Sequence, residues 1–293
     1  MYGAASGEHS GAHRPRGRAS TKRRSGSTSG ASSAQIGQSV WVANATRPLN
    51  GSDDDALLAV FHAIASGNGG EVTRRLDGAP ALASCAIRIG ASRQDPGTYF
   101  LAAIHHYVYA GDTAVHVAAA AHRRDLAESL VGRGADVRAR NRRGAEALHY
   151  AADGSPGAPG WDRSAQRDVI VYLVEAGADA DTTDNSGVAP LHRAVRTRSS
   201  DAVGALIEGG ANPTLMNGSG STPLHLAVQN TGKSNSGSEV AKDEQRRIIA
   251  MLLEHGARPT DVDANGKTVA DAASSDWIRQ LLNAWSTTSF IAT

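Results

Sequence analysis

Four histidines, His116, His149, His192 and His225, each stand five residues after a glycine, at Gly111, Gly144, Gly187 and Gly220. A fifth register follows at Gly266, with Asp271 in the histidine place. The intervals between these glycines are 33, 43, 33 and 46 residues, a 33-residue unit with additions of 10 and 13 in two copies. Downstream of each histidine comes a Gly-Ala pair, at Gly134-Ala135, Gly177-Ala178, Gly210-Ala211 and Gly256-Ala257, after 18, 28, 18 and 31 residues. The additions therefore fall between the two markers, within 153–166 and 230–243, where Gly, Ser, Pro and Asn cluster as in loops. Self-similarity at such a period constrains the chain to a stack of small units, each covering the apolar face of the next.

Each unit has a readable local structure. In the run Thr222-Pro223-Leu224-His225-Leu226-Ala227, threonine is a preferred N-cap and proline takes the first helical position, where its missing N–H is no loss. A helix is expected to start at Pro223. Before each Gly-Ala pair stand apolar pairs (Leu130 and Val131, Leu173 and Val174, Leu206 and Ile207, Leu252 and Leu253), and others such as Val169 and Ile170 lie one turn earlier. This one-sided stripe predicts a second helix that ends at the glycine, whose freedom to adopt left-handed backbone suits a helix terminus.

A helix, a turn, a second helix and a short extended stretch to the next glycine resemble one unit of the ankyrin repeat. The family's Thr-Pro-Leu-His-x-Ala signature is matched in full at 222–227, and in part by Thr113 to His116, Glu146 to His149 and Ala189 to His192, the last retaining Pro190. The resemblance implies an all-α solenoid of helix-turn-helix units with short β-hairpin loops over 108–282, in repeats of about 108–140, 141–183, 184–216 and 217–262 and a partial cap at 263–282. Ala189 and Glu146 depart from the threonine cap, so their helices are expected to start less firmly, by about 1 kcal/mol. Residues 51–107 read as a degenerate opening repeat, with helices at Ala56–Ala65 and Glu71–Leu76, followed by an irregular, partly helical segment through Tyr99–Tyr107. Residues 283–293 read as a carboxy-terminal tail.

Residues 1–50 read as a disordered tail. The first 40 hold 22 Gly, Ser or Ala and six basic residues against Glu8, a net +5, whereas the remaining 253 carry 24 basic against 28 acidic, a net −4. Too little apolar surface exists there to offset ordering entropy. No apolar run reaches membrane-span length and no secretory leader is legible, while a single cysteine, Cys85, excludes an internal disulfide. These features lead to the expectation of a cytoplasmic protein without a membrane segment, and of a monomer.

Chemistry-bearing constellations are sparse. The repeated histidines sit at helix starts where a ring reaches the cap residue, a structural role, and His105 and His106 are adjacent, hence divergent on a helix. Gly232-Lys233-Ser234 lacks the earlier glycine of a phosphate loop, since Ala227 stands there, and Gly218-Ser219-Gly220 lacks the third glycine of a dinucleotide fingerprint, being followed by Pro223. No catalytic residue, metal or cofactor is therefore expected.

What remains is surface. The loops linking successive repeats differ in character: Arg138, Arg140, Arg142 and Arg143 in one, Asp179, Asp181, Asp184 and Asn185 in the next, then Leu215, Met216 and Asn217. The expectation is a non-catalytic module that binds a partner protein through its concave face and these fingers, with no deep pocket. Arg140, Arg142, Arg143, Asp184, Asn185, Met216 and Asn217 are the candidate contacts. Trp161, with Pro156 and Pro159 in the first addition, is either a partner anchor or a local core residue; the second addition, Lys233 to Gly237, is polar. The alternative is nucleic-acid or anionic-surface association through the basic tail, with the repeats as scaffold. The negative body and the scarcity of aromatics argue against a nucleic-acid partner. A catalytic site within 54–107 has no supporting constellation.

Overall fold

The computed structural model describes residues 51–156, 158, 161–229 and 237–289. The tail expected at 1–50, Pro159 and most of the second addition, Lys233 to Ser236, lie outside the described residues. Twelve α-helices among the described residues follow one another as six pairs. These are α1 (Gly51–Ala65) with α2 (Gly69–Gly78), α3 (Ala114–Ala120) with α4 (Arg124–Gly132), and α5 (Ala147–Ala152) with α6 (Arg163–Glu175). Then come α7 (Pro190–Thr197) with α8 (Ser200–Glu208), α9 (Pro223–Ala227) with α10 (Glu239–Glu254), and α11 (Val269–Ala272) with α12 (Asp276–Ser289).

The first helices of the pairs pack in series from α1 to α11, and the second helices α4, α6, α8 and α10 pack in a parallel series behind them. Each interface is filled by the apolar stripes: Leu148, Leu191 and Leu224 from the first helices, and Leu130, Ile170, Leu173, Leu206 and Leu252 from the second, are fully buried. Each such leucine contributes about 1.5–3 kcal/mol by leaving water. Every Gly-Ala glycine has φ between 92° and 102°, the left-handed backbone that closes a helix. The chain forms an all-α solenoid.

The two lengthened units are closed in a common way. Buried Gln166 of α6 donates from Nε2 to the Ala151 carbonyl at 2.9 Å, and buried Gln245 of α10 donates to the carbonyls of Ala227 (2.6 Å) and Gln229 (2.7 Å). Each glutamine thus satisfies carbonyls left open where a short first helix ends before a long loop. Shorter units use a tight left-handed residue instead, Gly67, His122 or Arg198.

Two sequence expectations need correction. The segment Tyr99–Tyr107, expected to be irregular and partly helical, is a β-hairpin with β1 (Phe100–Leu101) antiparallel to β2 (His106–Tyr107); its helical part is confined to one 3-10 turn, Ala102–Ile104, closed by left-handed His105. The Phe100 and Tyr107 rings meet at 4.7 Å across it, a cross-strand pairing that holds the two strands on either side of the 3-10 turn. The expected tail does not begin at 283, because α12 runs to Ser289 and half-buries Trp285 one turn beyond Leu281 and Leu282. Glu146 and Ala189, which lack the threonine hydroxyl, also begin helices, their N–H groups bonded to the histidine three residues on.

Candidate partner-binding face

That histidine works twice. His116, His149, His192 and His225 each accept at Nδ1 from the N–H of the N-cap residue: Thr113 (3.2 Å), Glu146 (3.1 Å), Ala189 (3.2 Å) and Thr222 (3.3 Å). Each then donates from Nε2 to a carbonyl of the following unit, Ala145 (3.1 Å), Val188 (3.0 Å), Ser221 (3.3 Å) and Lys267 (3.2 Å). A ring that accepts at one nitrogen and donates at the other is neutral, so four buried imidazoles staple five units together. Burial holds His149 down to about 4, aided by the nearby Arg193 cation, and lowers His192 in the same direction. Pro190, Pro223 and Leu224 are buried beside these rings, in the helix starts that the rings tie together.

The fingers between pairs are tight turns held by their own side chains. Asn141, Asp184, Asn217 and Asp263 each accept at Oδ1 from backbone N–H groups two and four residues on. Neighbouring tips also bond to each other, Arg142 N–H to Ala110 O (2.8 Å), Asn185 N–H to Arg143 O (2.9 Å) and Gly218 N–H to Ser186 O (3.1 Å). Gly187 is required at its tip: φ is +69°, and a Cβ there would stand 2.6 Å from the Gly218 nitrogen.

Several candidate contacts are thereby engaged within the protein. Asp184 pairs with buried Arg193 at 3.0 Å; burial alone would raise its carboxyl, but the Val188 N–H and Arg193 hold it below the usual range. Asn185 donates to Arg142 O at 3.1 Å, and Asn217 serves its own turn. The arginines are engaged as well. Arg140 donates to the carbonyls of Gly144 (3.1 Å) and Thr183, and Arg142 to Ala91 O at 2.5 Å. Arg142 and Arg143 both lie over the Tyr109 ring, at 5.5 and 4.7 Å from its centroid. Met216 stands 47% exposed on its finger.

Trp161 lies elsewhere, beyond the carboxy-terminal end of α5. Its ring meets His122 of the preceding unit edge-on at 5.1 Å and covers Gly154, yet it stays half-buried. It forms one wall of a cleft of about 340 Å³ whose floor is Ala120, Ala121 and Tyr150 and whose opposite wall is the hairpin, Ala103 to His106. The face expected to carry no deep pocket thus holds an open recess. The two departures from the 33-residue unit nearest the amino terminus, the hairpin and the first addition, fold toward each other across the ends of α3 and α5.

Beneath the cleft runs a buried polar network that sequence reasoning missed. The Asp112 carboxylate accepts from Tyr109 N–H (2.6 Å), Asn141 Nδ2 (2.7 Å) and the Tyr150 hydroxyl (3.2 Å). Arg193 stands 6.0 Å above the Tyr150 ring and bonds Asp153 at 2.8 Å. Burial and Asp112 push the Tyr150 phenol up, and burial pushes His106 down to about 4, so both are neutral near pH 7. These contacts join residues 29 to 40 positions apart, so the sequence signal was only that Asp112, Asn141 and Arg193 sit beside the repeat glycines and histidines. The recess offers aromatic edges, apolar floor and the half-exposed Asp153, a setting for a side chain of a bound segment. Among the described residues no group of His, Cys, Asp or Glu is placed to hold a metal ion, and no helix is long and apolar enough to cross a membrane.

Two family models match the chain: one described as ankyrin repeats in three copies over residues 163–263, and one described as an ankyrin repeat over 110–142. The stretch between them contains the first addition and the wall that carries Trp161. A comparison with curated proteins finds no match.

Proposed function

This chain is an ankyrin repeat protein, and we propose that it is a non-catalytic module that seats an extended segment of a partner protein along the inner face of its stack, anchored in the cleft between the hairpin and the first addition. Ankyrin repeats are generally protein–protein interaction modules, and proteins built from them are typically non-catalytic scaffolds. The observation that carries the reading is the cleft itself. Two segments that are not needed for stacking converge to wall a recess with a half-apolar floor, and such concave, partly apolar sites are where a few anchor side chains concentrate binding energy. Met216, exposed on a finger farther along the same face, offers a second, adaptable contact.

The test is to select binding peptides from a random library against the full chain and then to fill the cleft. Ala103 is exposed at its rim, so Ala103→Trp places bulk in the recess without disturbing the core. The expected outcome is loss of most selected peptides with an unchanged melting temperature. Peptides that bind the filled variant as well as the parent would remove the cleft from the interface.

A further inference from the structure

We infer that the partner segment seated on this face is acidic, and that its carboxylates lie across the tips of the first two fingers, on Arg93, Arg142 and Arg143. The inference rests on the protein-binding reading above and specifies the chemistry of the partner. Most described arginines hold a carboxylate: twelve make ion pairs within 4 Å, from Arg74 on Glu71 to Arg279 on Asp276. Arg93, Arg140, Arg142 and Arg143, on neighbouring fingers, make none among the described residues; Arg124, Arg196 and Arg258 make none either, but Arg93, Arg142 and Arg143 come together around one groove.

Their geometry sharpens the point. The guanidiniums of Arg142 and Arg143 share one ring, Tyr109, at 5.5 and 4.7 Å from its centroid, with no carboxylate bridging them. Two like charges held together repel, and an anion arriving between them gains from both. An open groove of about 360 Å³ lies there, lined by Ser92, Arg93, Tyr107, Tyr109, Arg142 and Arg143, and its lining contains no acid. Two carboxylates close by in the chain make no ion pair with these arginines: Asp95 accepts from Thr98 N–H at 3.3 Å, and Asp112 accepts from Tyr109 N–H and is buried against Asn141 and Tyr150. Tyr107, 40% exposed, adds an apolar edge and a phenol donor to the rim.

A polypeptide fits better than a nucleic acid. The tyrosine under the arginines has its face occupied, so it offers no platform for stacking bases. Residues 51–293 carry 23 basic against 28 acidic residues, so a long polyanion leaving the groove meets net negative surface. A short run of glutamate or aspartate needs only the groove.

The test uses the full chain and three labelled probes of similar length, a glutamate-serine peptide, a lysine-serine peptide and single-stranded DNA, followed by fluorescence anisotropy at low and at physiological salt. The glutamate peptide is expected to bind, more weakly as salt rises, and the lysine peptide not to bind. Arg143→Gln should weaken the glutamate peptide by roughly five- to tenfold at low salt and Arg143→Lys by much less, because an exposed ionic contact to a carboxylate responds chiefly to charge. Arg258→Gln, exposed at the start of the last finger and outside the groove, should leave binding unchanged. No binding of the glutamate peptide, binding indifferent to Arg143→Gln, or tighter binding of the DNA would each overturn the inference. Selected peptides that lose affinity with Ala103→Trp while the glutamate peptide fails to bind would overturn the acidic partner and leave the cleft reading standing.

Discussion

A buried imidazole that donates at one nitrogen and accepts at the other has no use for a second proton. His149 titrates at about 4 in the folded chain against an ordinary value of 6.5, so between those values the unfolded chain binds the proton and the folded chain does not. The stability from this ring is therefore fully present above about pH 6.5 and is lost as pH falls toward 4, by at most about 3 kcal/mol. Urea unfolding at about pH 7.5 and about pH 5 should show the fall, and His149→Gln should make it smaller, the rest coming from His106 and His192, which burial also lowers. Equal slopes for both chains would show that His149 does not carry the dependence. Gly187 is a second residue-scale test. Its left-handed backbone and the Gly218 nitrogen 2.6 Å from any added Cβ make Gly187→Ala costly, by about 2 kcal/mol or more in unfolding free energy. The pattern of five residues from glycine to histidine was legible because both partners lie on one turn of chain. The capping residues Asn141, Asp184, Asn217 and Asp263, three before each finger glycine, carried the same period, but two of them read as partner contacts because a side chain's bond to its own turn looks like any exposed polar residue in a sequence.

The elements show what unequal spacing costs and how the fold offsets it. A first helix that stops before a long loop leaves carbonyls open, and Gln166 and Gln245, each eleven residues before its Gly-Ala glycine, reach back to fill them. Gln245→Leu keeps the volume and removes both bonds to Ala227 and Gln229, so it should destabilise the chain by about 2–3 kcal/mol, measured by denaturant unfolding. A cost below measurement would mean that water replaces the amide. The hairpin is the counterpart at the other wall of the cleft. Nothing in the run Tyr99–Tyr107 alternates strongly enough to announce strands of two residues each; the pairing depends on Val108 N–H reaching Tyr99 O at 2.8 Å and on Ala91 N–H reaching Val108 O at 2.7 Å. Trp161 belongs to the same scale. Its edge contact with His122 and its half-exposed face predict that Trp161→Ala lowers the melting temperature modestly, by a few degrees, and removes selected cleft-binding peptides. A large fall in melting temperature would make the indole a core residue instead.

At the scale of the molecule, the stack was readable because its packing is local: the helices of each unit pack against those of the adjoining units, so periodicity in sequence becomes periodicity in space. The site was not readable for the converse reason. The cleft arises where two irregular segments meet, and its floor is tied by Asp112, Asn141, Tyr150, Arg193 and Asp153, residues that come from three successive units. The arginine finger was legible as basic, while its seat on Tyr109 and Ala91 required the hairpin-bearing finger beside it. The central claim is that a partner segment lies along the inner face with its anchor in the cleft, and hydrogen–deuterium exchange of the full chain with a saturating selected peptide tests it most directly. Protection is predicted at Ala103 to Val108, at Ala120 to Arg123 and at the backbone leading to Trp161, with the outer helices α4, α6, α8 and α10 unchanged. Protection confined to those outer helices, with the hairpin and the first addition exchanging as in the free chain, would contradict the account.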